Sequence, residues 1–120
     1  MHQYKKLDFW KRSCSFCTSL YSLTSNFPES EKFGLTSQLR RASISIASNI
    51  AKGASRKSNK DFSRFLEIAI GSAFEVETQL LISQNLAFIN SNELQETTDE
   101  LTIIIRQMRK FKEMLDNQSC

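Results

Sequence analysis

Glycine and proline are scarce: the chain has three and one among 120 residues. That scarcity argues against an all-β fold rich in turns and for long helices. Polar residues interrupt every apolar run well short of the roughly 20 residues a membrane-spanning helix needs. Histidine occurs once, at His2. A lone terminal histidine anchors neither a catalytic triad nor a metal centre. No Glu-x-x-His motif accompanies Glu67 and Glu75, which excludes a di-iron bundle. The three cysteines, Cys14, Cys17 and Cys120, form no disulfide framework. Cys14-Ser15-Phe16-Cys17 has the spacing of a redox or zinc pair. Further zinc ligands are missing, and no sheet is expected beside it, so it reads as two small buried residues on one helix face.

The segment Lys52-Gly53-Ala54-Ser55-Arg56-Lys57-Ser58 has the flavour of a phosphate loop but lacks its first glycine and its preceding strand. The expected protein is therefore not an enzyme: it has no catalytic residue, cofactor or metal. The N-terminal residues lack the apolar centre and cleavage site of a signal peptide, so a cytoplasmic protein that does not enter membranes is expected.

Apolar residues recurring every three or four positions mark four helices. The first runs over about 5–25 on Phe9, Phe16, Leu20 and Leu23. Asn26-Phe27-Pro28 ends it, because proline disfavours helix in the residue before it. The second covers 36–52, capped by Thr36 or Ser37, with Leu39, Ala42, Ile46, Asn49 and Ile50 inward. Gly53 has the character of a helix C′ residue with positive φ. The third covers 59–86 behind Ser58 as N-cap, with one stripe from Phe62 to Ser83. Gly71 sits inside it at a cost of ~1 kcal/mol relative to alanine, explained by close approach to Arg40–Ser43. The fourth covers 92–116, capped by Asn90 or Ser91. Short connections make residues 1–120 one domain, an all-α, antiparallel, up-down-up-down four-helix bundle.

Two segments also carry a resemblance. Gln38-Leu39-Arg40-Arg41-Ala42 is followed by Ser45-Ile46-Ala47-Ser48-Asn49-Ile50-Ala51-Lys52-Gly53. The pattern continues at Phe65-Leu66-Glu67-Ile68-Ala69-Ile70-Gly71-Ser72 and Glu75-Val76-Glu77-Thr78-Gln79-Leu80. These resemble the signature of a bacterial family of four-helix-bundle proteins encoded in intervening sequences of 23S ribosomal RNA genes, and elsewhere in genomes. The matches run from about Leu7 to Leu115. The sequence departs from the pattern at Lys52, where the family usually has glutamate. The resemblance implies an antiparallel bundle, a ring-shaped homopentamer and nucleic-acid binding.

Charge is unevenly distributed. No lysine or arginine lies between Arg64 and Arg106, an interval that holds seven acids. In an up-down-up-down bundle, the start of helix 1, the helix 2–3 turn and the end of helix 4 share one end. That end collects Lys5, Lys6, Lys11, Arg12, Lys52, Arg56, Lys57, Lys60, Arg64, Arg106, Arg109, Lys110 and Lys112. Asp8, Asp61, Glu113 and Asp116 are its acids, leaving it at net +9, while the remainder stands at −6 within a whole chain of +3. Basic residues suit helix C-termini but not the N-termini of helices 1 and 3, and such broken local rules often mark function. The first reading is RNA or DNA bound through its backbone with low sequence preference. The second is a protein-interaction scaffold, or an accessory subunit of a nucleic-acid enzyme, as proteins of similar architecture serve reverse transcriptases.

Two structural expectations complete the reading. Helix 1 has a wide apolar arc, and Ile103 to Ile105 cannot all face one core, so a homo-oligomer is expected. If helices 2 and 3 fold back at a tight turn near residue 55, facing positions total about 111. Arg41 or Arg40 is then expected to join Glu67 or Glu75 in a polar network, with Asn49 on the same helix.

Overall fold

The computed structural model describes residues 2–118. Cys120 lies outside them. The order is a 3-10 turn Tyr4–Lys6, α1 Asp8–Thr24, a 3-10 turn Glu29–Glu31, α2 Leu35–Ala54, α3 Asn59–Asn85 and α4 Ser91–Asn117. Among the described residues there is no strand. Each helix packs on its chain neighbours, and α1 also packs on α4. Contacts at 17 and 43 then 24 and 40, 45 and 72 then 38 and 79, 63 and 116 then 84 and 91, and 8 and 107 then 12 and 100 run in opposite senses, so every adjacent pair is antiparallel. The result is a four-helix bundle of 48 × 23 × 20 Å. No described helix is long and apolar enough to cross a membrane.

The 3–4 periodicity is realised as one core. Leu39, Ile46, Ile50, Leu66, Val76, Leu80, Leu101, Ile104, Met108 and Leu115 are wholly buried. Burying a side chain of this kind contributes about 1.5–3 kcal/mol. Cys17 is part-buried and donates through Sγ to the Ser43 carbonyl at 3.1 Å. Burial raises both the Cys14 and Cys17 thiol pKa values.

Caps account for two helix starts. The Ser58 hydroxyl accepts from the Asp61 N–H at 3.1 Å. Asn90 and Glu93 form a reciprocal capping box, at 2.8 and 2.9 Å, which satisfies otherwise orphan N–H groups. The start of α2 departs from expectation. Its N-cap is Gly34, without a side-chain cap. Thr36 is buried. The carboxylate of Glu31, on the preceding 3-10 turn, accepts from the Leu35 N–H at 3.0 Å. A negative group therefore sits at the positive end of the helix dipole.

Four further expectations are corrected. The first helix does not begin at Lys5: Leu7 is extended and separates the short turn from α1. Tyr4 packs edge-on against Trp10 at 5.0 Å, turning the chain back over the bundle. Gly53 is not a positive-φ cap, since α2 continues through Ala54 and no described glycine has positive φ. Its role is steric: a Cβ there would lie 2.7 Å from Phe62 Cδ1 and 2.8 Å from Phe65 Cβ. Gly71 has the opposite setting, with nothing within 4 Å of a built Cβ, so it does not serve close approach to Arg40–Ser43. Finally, Ile104 and Ile105 are buried and Ile103 is half-buried, so that run forms no exposed patch. The positive-φ cap belongs instead to Ala87, φ 64°, after α3. There the Phe88 N–H reaches the Ser83 carbonyl and the Ala87 N–H reaches that of Gln84, the paired bonds of a Schellman ending.

Candidate nucleic-acid interface

An aromatic cluster gathers one end of the bundle. The His2 N–H donates to the Ala54 carbonyl at 3.0 Å. The His2 ring meets Phe62 at 5.1 Å and Phe111 at 5.6 Å. Phe111 also packs on Phe9 and Phe62, each at 5.3 Å. Edge-on and tilted rings at these separations attract beyond their area burial. The N-terminal segment, α1, the α2–α3 turn and the end of α4 are thereby held together. Sequence periodicity located Phe9 and Phe62 in the core but gave no sign that they would close this end with Phe111.

The cations around this cluster divide by their partners. Arg12 is engaged: its Nε donates to Asp8 at 2.9 Å, and Glu100 lies at 3.5 Å. Lys112 pairs with Asp116 at 3.0 Å, and Arg64 lies 3.8 Å from Asp61. Among the described residues, Lys5, Lys6, Lys11, Lys52, Arg56, Lys57, Lys60, Arg106, Arg109 and Lys110 form no ion pair. All ten are exposed. Lys5 and Lys6 ride on the 3-10 turn rather than on α1.

Two arginines share an aromatic platform. Arg56 and Arg64 lie over the Phe65 ring, at 4.8 and 4.7 Å from its centroid. No local spacing signalled this, since adjacent residues on a helix do not face each other and Arg56 lies across the turn from Phe65. Stacking of this kind orients a guanidinium while leaving its edge N–H groups free. Arg109 stands apart: it stacks on Phe74 at 5.3 Å, partway up the side of the bundle. An apolar-floored hollow of about 460 Å³ lies between His2–Lys6 and Ser55. Exposed cations around it can neutralise phosphates, and its floor can take the face of a base.

The acids at this end are mostly spoken for. Hydrogen bonds from Arg12, then Gln107, hold the Asp8 carboxyl below the ordinary carboxylate range. Asp116 is lowered by Ser63 first and Lys112 second. Asp8 in turn raises the Arg12 guanidinium. Arg12 and Lys112 therefore contribute less to an external anion than their formal charge suggests.

The expected polar network does not form within the chain. Arg40 reaches α1 instead: Nε donates to Thr24 Oγ1 at 2.9 Å, a terminal nitrogen donates to the Tyr21 carbonyl at 3.2 Å, and the guanidinium covers the Tyr21 ring at 4.3 Å. Arg41 and Glu67 are exposed, and no ion pair joins either arginine to Glu67 or Glu75 among the described residues. Glu75 accepts from Gln79 at 3.2 Å. Asn49 donates to the Ser45 carbonyl and hydroxyl, and Ser45 pairs with Ser72. The physical reason is direction, not level: Arg41 and Glu75 both lie exposed on the outer faces of their helices. Positions 45 and 72, and 38 and 79, each total 117, because α2 runs through Ala54 before the turn begins.

A family model described as 23S rRNA-intervening sequence protein matches residues 5–110. Among solved structures, the chain is similar to a protein of unknown function from the S23 ribosomal protein family of Bacteroides thetaiotaomicron VPI-5482. The TM-score is 0.78 at 23% identity, covering 87% of this chain and 97% of that one. At that identity the likeness speaks to the fold. No curated protein matches the chain.

Proposed function

The chain belongs to the 23S rRNA-intervening sequence protein family, and from that premise we propose that it binds RNA through the phosphate backbone, as a non-enzymatic homo-oligomer. The contact surface is the cationic end of the bundle. One observation carries this reading: nine exposed cations at that end, Arg109 aside, have no ion-pair partner among the described residues. Backbone binding needs no catalytic group and confers little sequence preference. Lys52, Arg56, Lys57 and Lys60 form the centre of the surface, with Arg64 beside them on Phe65. Lys5, Lys6, Lys11, Arg106 and Lys110 extend it. Arg12 supports the fold through Asp8 and Glu100, and Arg109 lies to one side. DNA offers the same phosphates; the family's name favours RNA. In the pentameric ring implied by the resemblance, parallel subunits present their cationic ends on one face and their charges add.

Anisotropy of labelled single-stranded RNA, titrated across salt concentrations, tests the proposal. Neutralising ~4–6 phosphates gives a slope of log K against log salt of roughly −3 to −4 on a single strand, and roughly −4 to −5 on duplex DNA. Arg56→Ala, Lys57→Ala and Lys60→Ala together remove three charges, and should weaken binding and flatten the slope. Ser30→Glu with Lys32→Glu changes the charge equally at the other end and should weaken binding far less. Equal losses would assign binding to overall charge. Absence of binding at low salt would favour the second reading, a scaffold or accessory subunit, which draws on the exposed apolar face of α3.

A further inference from the structure

Two exposed stripes run along the outside of α3. Ile68, Gly71, Glu75, Thr78 and Ile82 form one, and Glu67, Phe74 and Leu81 the other. Ile68, Phe74, Leu81 and Ile82 are each 40–51% exposed. Large apolar side chains grouped in this way on a helix mark a contact surface. Gly71 sits among them in mid-helix with open space above it. Nothing among the described residues explains a glycine there, whereas a side chain from a second molecule has room to seat over it. The formal charges on these stripes are the acids Glu67 and Glu75, while Arg109 of α4 reaches the second stripe from the side, over Phe74.

The outer face of α2 is complementary. Arg41, Ile44 and Ser48 are exposed at helical spacing, and Arg41 makes no ion pair among the described residues. The register fixes their levels. Because facing positions total 117, Arg41 stands level with residue 76, Ile44 with 73 and Ser48 with 69. Arg41 is thus at the height of Glu75, Ile44 at that of Phe74, and Ser48 at that of Ile68. In a cyclic assembly whose axis follows the bundle, copies are related by rotation without a shift, so groups at one level meet.

We propose that a second copy of this chain docks side by side and parallel, its α2 face on the outer face of α3, with Arg41 of one copy against Glu75 of the next. Ile44 then lies near Phe74 and Gly71. The pairing unites the apolar patch, the exposed glycine, the free arginine and the acids in one contact. It rests on the reading of the protein as a homo-oligomer and is independent of RNA binding.

Sedimentation and light scattering at micromolar concentration test it. The wild type should be an oligomer, and Ile68→Asp should release monomers that keep wild-type circular dichroism. Arg41→Glu and Glu75→Arg should each raise the dissociation constant about tenfold or more. The double variant should recover assembly, because it restores opposite charges at every copy of this contact. A monomeric wild type would end the homo-oligomer reading itself. An oligomer indifferent to Ile68→Asp, or charge reversals that no swap rescues, would overturn the assignment of these faces.

Discussion

Replacing two glycines by alanine should move stability in opposite directions. At Gly53, the new methyl would stand 2.7 Å from Phe62 Cδ1 and 2.8 Å from Phe65 Cβ. Neither neighbour can yield cheaply. Phe62 is buried and held among His2 and Phe111, and the Phe65 atom is a Cβ fixed to the α3 backbone. Overpacking of this kind costs about 1–3 kcal/mol, against which alanine returns at most ~1 kcal/mol of helix propensity. The expected net is a loss of about 1–2 kcal/mol. At Gly71 there is open space, so only propensity acts, and alanine should gain ~0.8–1 kcal/mol.

Urea unfolding followed by circular dichroism measures both, at one low protein concentration so that assembly does not shift the midpoint. The two variants should differ by about 2–3 kcal/mol at an unchanged m-value. In a chain of this size, a single kcal/mol corresponds to about 3–6 °C in melting temperature. If Gly53→Ala unfolds at the wild-type midpoint or above it, the close approach of α2 to α3 does not require glycine and the reasoning fails. A loss of stability for monomeric Gly71→Ala would refute the second half.

Three other outcomes follow from particular contacts. Ala87→Gly should stabilise by about 0.5–1 kcal/mol in thermal melts, because Ala87 holds φ 64°, which glycine adopts without strain. Arg40→Ala should cost ~1 kcal/mol by losing Thr24 and Tyr21, while Arg41→Ala stays within about ±0.5 kcal/mol in the monomer; parallel melts decide which arginine is structural. Asp8 has a depressed pKa, so its contribution is present above its unfolded value of about 3.9 and is lost as pH falls through the lower folded value. Asp8→Asn should therefore flatten the decline in stability below about pH 4 in an acid titration.

Helices were legible because their signals are local. Scarce glycine and proline, 3–4 spacing and the caps Ser58 and Asn90 each act within a few residues. What escaped was set by distant groups. Leu7 interrupts the first helix where Tyr4 folds onto Trp10, and Glu31 caps α2 from across a turn. Gly53 has the composition of a cap, yet it is the two phenylalanines of the next helix that leave no room for a side chain there. No window on one segment contains that information.

Charge was legible for a different reason: topology alone determines which chain segments share an end of the bundle. Pairing was not, because it depends on register and on the direction in which each side chain leaves its helix. Placing the turn near residue 55 gave facing positions a total of 111, whereas the contacts at 45 and 72 total 117, six residues away. The observed register still brings Arg41 level with Glu75. The two nevertheless fail to meet, since Arg41 points outward from α2 and Glu75 belongs to the outer stripe of α3. Within one chain, height is matched and direction is not. In the proposed assembly a second copy supplies the facing surface for Arg41 and Glu75, so the failed intrachain pair and the exposed face of α3 lead to the same contact.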